Sequence, residues 1–173
     1  MDSEHNLIER AKAGDEGAYQ KIVDNYKDQV FRLALGIVRN SQEAEDITQE
    51  VFIRVFKSLK SFQYRSLLKT WIFRITINIG KNFLKKRTDA LPLEGVEIED
   101  SKPSPLEGTE YREKLEEFMK AIGNLPFKQQ TAAILRIQQG LEFKEIARIM
   151  KCTLGGARSH YFQALKKLRK SMV

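Results

Sequence analysis

The sequence predicts an all-α chain of two helical domains. Three observations carry that expectation. Apolar residues recur at three- and four-residue spacing through most of the chain. One stretch alone has the alternation of a strand, and it has no second strand to pair with. Between residues 88 and 108 the helical period stops, and the segment holds three of the four prolines and two glycines.

The first helical stripe is Ala18, Ile22, Tyr26, Val30, Leu33 and Ile37. Asn40 stands where it can cap the next helix, with Glu43 three residues on at capping-box spacing. Ala44, Ile47, Val51, Val55 and Leu59 then form a second stripe. The strand-like stretch follows, TWIFRITINIGKNFLKKR from Thr70 to Arg87. Trp71, Phe73, Ile75, Ile77 and Ile79 alternate with mostly polar neighbours. At about 100° per residue, however, Leu68, Ile72, Ile75, Ile79 and Phe83 share one helical face, and Trp71, Arg74, Asn78, Lys81 and Lys85 share another. A helix is expected, because a lone strand leaves its backbone groups unpaired. Phe73 and Ile77 are expected on its third side.

Beyond the spacer, Leu115, Phe118, Met119 and Ile122 mark a further helix. Pro126 can open the next, which Gly140 closes. A short helix over Glu142 to Met150, a tight connection at Lys151-Cys152-Thr153, and a longer helix from Gly155 to Ser171 have the helix-turn-helix layout. Gly156 is expected at the N-cap of the last helix. The domains are therefore drawn at 1–87 and 109–173, with 88–108 as an acidic, flexible linker.

Charge follows that division. The whole chain carries +7. The first domain has 16 basic against 11 acidic residues, the linker one against six, and the last domain 13 against six. Two basic blocks suit an anionic partner, nucleic acid or a membrane surface. No apolar run reaches the roughly 20 residues of a bilayer span, so no direct membrane insertion is expected. The N-terminus lacks the basic-then-apolar pattern of a signal peptide, and a cytoplasmic protein is expected. One cysteine, Cys152, excludes an internal disulfide and argues against a zinc site; it is expected to be a small buried side chain. No catalytic constellation or phosphate loop is visible, so neither cofactor, metal nor small-molecule substrate is expected.

The last helix exposes Arg158, Ser159, His160, Gln163, Lys166 and Lys167. Arginine can read a guanine edge, glutamine an adenine, and lysines suit phosphates. In the first domain, Phe62, Tyr64 and Trp71 are interleaved with Arg65, Lys69 and Arg74, a pattern suited to unstacked bases on a single strand. Glu43, Asp46 and Glu50 make an acidic helical face. On spacing alone it reads either as helix-dipole compensation with a solvated surface or as a docking site for a basic protein.

Together these segments resemble the extracytoplasmic-function (ECF) sigma factors, small two-domain members of the sigma-70 family of bacterial RNA polymerase. The resemblance rests on GDEGAYQKIVDNYKDQVFRLALGIVRNSQEAEDITQEVFIRVFKSLKSF, LLKTWIFRITINIGKNFLKKR and AIGNLPFKQQTAAILRIQQGLEFKEIARIM with the helix after it, in that order. It implies that Asp46, Gln49, Glu50 and Ile53 dock on core RNA polymerase. It implies that residues 61–69, with Phe62, Tyr64 and Arg65, form a loop capturing a flipped minus-10 base. Trp71, Arg74, Asn78, Lys81, Asn82 and Lys85 would contact the minus-10 strand. Arg158, Ser159, His160, Phe162, Gln163, Lys166 and Lys167 would face the minus-35 element. An anti-sigma factor is an implied partner beside the polymerase and promoter DNA. The chain departs from the family pattern at Leu67-Leu68-Lys69, Glu142, Gly156, Ala157, His160 and Gln163. The main alternative is a stand-alone helix-turn-helix transcriptional regulator, which needs neither the acidic face nor the aromatic-basic segment. A nucleic-acid enzyme is a second alternative, and it lacks paired carboxylates.

Overall fold

A computed structural model describes residues 3–90 and 109–171. All regular elements among them are helical: α1 (Glu4–Lys12), α2 (Glu16–Val38), α3 (Ser41–Ser58), α4 (Leu68–Ala90), α5 (Thr109–Gly123), α6 (Phe127–Ala133), α7 (Phe143–Met150) and α8 (Leu154–Ser171). A 3₁₀ turn at Leu59–Ser61 follows α3, and α6 runs on into a π-helical turn at Ile134–Gln138.

Short polar side chains start the helices. Ser3 accepts from the Asn6 N–H at 3.2 Å, Asp15 from Ala18 at 3.0 Å and Asn40 from Glu43 at 2.9 Å, each satisfying an orphan donor of a first turn. The Glu43 carboxylate does not complete a capping box; it pairs with Arg87 near the end of α4. The cap of α8 is Thr153, whose hydroxyl accepts from Gly156 N–H at 3.0 Å, so Gly156 lies inside the first turn instead of capping it.

The stretch with strand-like alternation is helix throughout, and α4 continues through Thr88, Asp89 and Ala90, past the boundary drawn at 87. The rest of the segment expected as a linker lies outside the described residues. Leu68, Ile72 and Ile79 are buried as expected, but so are Phe73 and Ile77. The reason is position. α4 packs against α2 and α3 on one side and against α7 on another, so most of its circumference is covered. Gly80 permits the close crossing with α2, since a Cβ there would lie 3.0 Å from the Ile37 side chain. α1, which the apolar spacing had not marked, docks on α2 through buried Leu7 and Ile8.

The two halves share one continuous apolar core. Gly36 of α2 admits Ile134 of the second half at a distance a Cβ would reduce to 3.1 Å. Several polar contacts between the halves join a side-chain donor to a main-chain carbonyl near a helix end, where intrahelical partners run out. Gln130, only 3% exposed, donates to the carbonyls of Gly36 and Ile37 at the end of α2, both at 3.2 Å. Arg39 donates to Met119 and Lys120 near the end of α5, at 3.3 and 3.2 Å. Arg74 donates through two nitrogens to the Arg148 carbonyl in the last turn of α7.

Candidate nucleic-acid interface

Three surfaces carry the residues singled out from sequence. The first lies on α3. Asp46, Gln49, Glu50 and Ile53 are all exposed, because the opposite stripe of Ala44, Ile47, Val51 and Val55 is buried in the core. Ile53 is 55% exposed on a helix whose opposite face is buried. Phe56, three residues on and 58% exposed, extends this apolar spot; its ring meets Tyr19 edge-on at 5.0 Å. Sequence reading missed Phe56, although an aromatic on the polar side of an amphipathic stripe was the available signal. Glu50 pairs with Arg54 at 3.2 Å, leaving Asp46 as a carboxylate on the same face.

The second surface comprises the loop after α3 and the polar face of α4. Phe62 is not offered to solvent. It is 6% exposed, with its ring 5.0 Å from Tyr64 and 5.1 Å from Trp71, so it supports those rings from below and is not itself free to stack on a base. Tyr64 is 39% exposed and Arg65 is exposed, while Trp71 is half-buried. Asn78, Lys81, Asn82 and Lys85 are exposed along α4. Arg74 is half-buried, since its guanidinium is taken by the α7 carbonyl. Arg74, Asn78 and Lys81 line a cleft whose other wall is Lys128, Met150 and Lys151. Asn82 and Lys85 line a separate groove together with Glu50 and Arg54, which brings the α3 and α4 surfaces side by side. Lys128 and Lys151 are basic residues of this region that sequence reading did not place; only the contact between the halves brings them there.

The third surface is α8. Arg158, Ser159, Gln163, Lys166 and Lys167 are exposed and His160 is half-buried, while Ala157, Ala164 and Leu168 pack inward. Phe162 is 59% exposed. Gln163 accepts from Gln129 at 2.8 Å and donates to Ser159 at 3.2 Å. The Arg158 guanidinium lies 5.8 Å from the centre of the Phe143 ring, a cation–π contact that holds the side chain near the start of the helix. Cys152, in the turn before α8, is partly buried, and desolvation raises its thiol pKa.

Among the described residues, no group of His, Cys, Asp and Glu is placed to hold a metal ion, and no helix is long and apolar enough to cross a membrane. The residues singled out lie on helix faces and the loop before α4, with the Arg74–Lys81 cleft between the halves.

Comparison with known proteins matches this arrangement. Residues 22–89 match the family described as Sigma-70 region 2, and residues 115–168 match Sigma-70, region 4. The RNA polymerase sigma-H factor of Pseudomonas aeruginosa is 32% identical, over 99% of this chain and 95% of the relative. The ECF RNA polymerase sigma-E factor of Haemophilus influenzae is 34% identical, over 91% of this chain and 89% of the relative. The fold is similar to that of CnrH in complex with the cytosolic domain of CnrY (TM-score 0.76, 16% identity, 99% of this chain and 97% of that one). It is also similar to the sigma factor RpoE in complex with the anti-sigma factor NepR from Bartonella quintana (TM-score 0.70, 24% identity, 89% and 96%). With both regions in order and whole-length relatives of one kind, the chain belongs to the sigma-70 family, as an ECF sigma factor of RNA polymerase that directs transcription initiation.

Proposed function

We propose that the three surfaces divide the work of this sigma factor. Asp46, Gln49, Glu50 and Ile53 on α3 dock on core RNA polymerase. Tyr64, Arg65, Trp71, Arg74, Asn78, Lys81, Asn82 and Lys85 capture and follow the minus-10 strand, with Phe62 as the ring beneath them. Arg158, Ser159, His160, Phe162, Gln163, Lys166 and Lys167 face the minus-35 duplex. Residues 1–87 and 109–173 act as the two reading domains, joined through 88–108. The work is recognition and strand separation, without chemistry on a substrate, and it takes place in the cytoplasm on the promoters of a specialised regulon. An anti-sigma factor is the fitting regulatory partner, as NepR is for the Bartonella protein.

The observation that carries this reading is the separation of charge. A stand-alone duplex-binding regulator accounts for α8, whose basic face suits the major groove. It gives no role to an exposed acidic and apolar face on α3 next to a basic groove on α4. Run-off transcription with purified core polymerase over a promoter panel is the test: promoter-directed transcripts are expected, and their absence together with absent core binding contradicts the reading. Asp46→Arg is expected to lower core affinity at least about tenfold, roughly 1.4 kcal/mol. Minus-35 duplex affinity is expected to stay unchanged; equal core affinity removes Asp46 from the docking face.

A further inference from the structure

Tyr64 has a backbone φ of +56°. For a residue with a Cβ this left-handed conformation is uncommon and disfavoured. It persists in folded proteins where the surroundings over-determine it. Here the surroundings come from α1, a helix to which none of the three surfaces above assigns a task.

The contacts converge on one ring. The Tyr64 hydroxyl donates to the Glu9 carboxylate. The Lys12 ammonium sits 4.5 Å from the Tyr64 ring centre, pairs with Glu9 at 3.3 Å and donates to the Phe62 carbonyl at 2.8 Å. One lysine therefore ties the loop backbone, the carboxylate and the aromatic ring together. Phe62 meets Tyr64 edge-on from the core side. The His5 imidazole lies on Tyr64 with centroids 4.8 Å apart and planes only 17° apart. A planar heteroaromatic ring in that geometry is what a stacked nucleobase would present. His5 and Glu9 are exposed, one turn apart on α1, so His5 is free to leave without unfolding the helix.

We propose that α1 positions the strand-capture platform: Glu9 and Lys12 hold Tyr64 in its left-handed conformation, and His5 occupies the place on the ring that an unstacked base takes. This rests on the capture reading of residues 61–69 and gives its loop a source of order. A platform set in advance binds more tightly than one ordered by its ligand, because less freedom is lost on association. The placeholder has the opposite effect, since a base must displace it. Glu9 and Lys12 are thus positioning residues, and His5 is a competitor built into the chain.

The opposing signs make the test decisive. Binding of a fluorescent mixed-sequence single-stranded DNA 12-mer to the full chain is measured by anisotropy, with melting temperature and minus-35 duplex affinity followed in parallel. Tyr64→Ala is expected to weaken strand binding by about fivefold or more, the lower end of the loss of one base–aromatic stack. Lys12→Met and Glu9→Leu are expected to weaken it severalfold at unchanged duplex affinity, with Lys12→Arg restoring it. His5→Ala is expected to tighten it severalfold. A merely structural α1 would move all these variants in one direction with the melting temperature. If Tyr64→Ala weakens the strand while the α1 variants leave it unchanged, the platform stands and the role of α1 falls. If Tyr64→Ala changes nothing, the capture reading falls and the inference with it.

Discussion

The basic faces of α4 and α8 differ in one respect that composition does not reveal. The face of α8 is open: Arg158, Phe162, Gln163 and both lysines reach solvent. The face of α4 looks in part at the other half of the molecule. Arg74 is hydrogen-bonded to the end of α7, and Asn78 and Lys81 face a cleft closed by Lys128, Met150 and Lys151. The face of α8 is open to a duplex as the chain stands, whereas the Arg74–Lys81 part of the α4 face borders the second half. The difference teaches that the faces are not equivalent modules on a string. One is open, and the other is partly covered by the second half.

Holding the halves together gives the largest effect. A short thiol-reactive cross-linker joining Lys81→Cys to Lys128→Cys or Lys151→Cys in a Cys152→Ala background is expected to reduce single-strand binding along α4 more than about tenfold, relative to the same variant left uncross-linked. Minus-35 duplex binding should change less than about twofold, since α8 lies outside the cleft. Equal loss of both, or of neither, breaks the comparison. Next in size is Arg158→Ala, expected to cost about 1–3 kcal/mol at one minus-35 position in a competition series of duplexes. A uniform loss across sequences would make Arg158 a phosphate contact.

Gln130→Ala probes the closure itself. It leaves the terminal carbonyls of α2 without their donor, at a cost of about 1 kcal/mol. Faster amide exchange along the α4–α7 contact is expected, with α3 protection unchanged; a uniform rise over the chain would mean general destabilisation. The smallest effect belongs to Lys167→Gln, which is expected to lower the slope of log affinity against log salt by about one and leave base preference intact. A change in preference at one base would give Lys167 a reading role.

The helical period, the Asn40 cap and the two polar faces were legible in the sequence; the cap of α8 was not, since Thr153 takes the place expected for Gly156. Asn40 caps α3 and the helix-turn-helix spans the expected residues, because local hydrogen bonding and apolar spacing decide both. The alternation over Trp71–Ile79 misleads because α4 is enclosed on several sides, so Phe73 is as buried as Ile72 and Ile77 is also buried. Phe62 reads from sequence either as a strand-binding ring or as core, and it is core. An aromatic in a basic loop gives no sign of which ring lies beneath the others. The contact between the halves left no pattern at all. Gln130, Arg39 and Arg74 donate to main-chain carbonyls, and any residue supplies a carbonyl, so no complementary side chain marks the partner. α1 escaped notice because its apolar face is only Leu7 and Ile8, with Ala11 beside them.

The distance between the halves, measured in the free chain and in the complex with core polymerase and promoter DNA, tests the central claim most directly. Spin labels at Lys57→Cys and Lys170→Cys, with Cys152→Ala to remove the native thiol, report it without touching the α4 cleft. The account predicts one short distance in the free chain and a longer one in the promoter complex. The same short distance in both would mean that the minus-10 strand is read with the cleft closed, and would contradict the division between a covered and an open face.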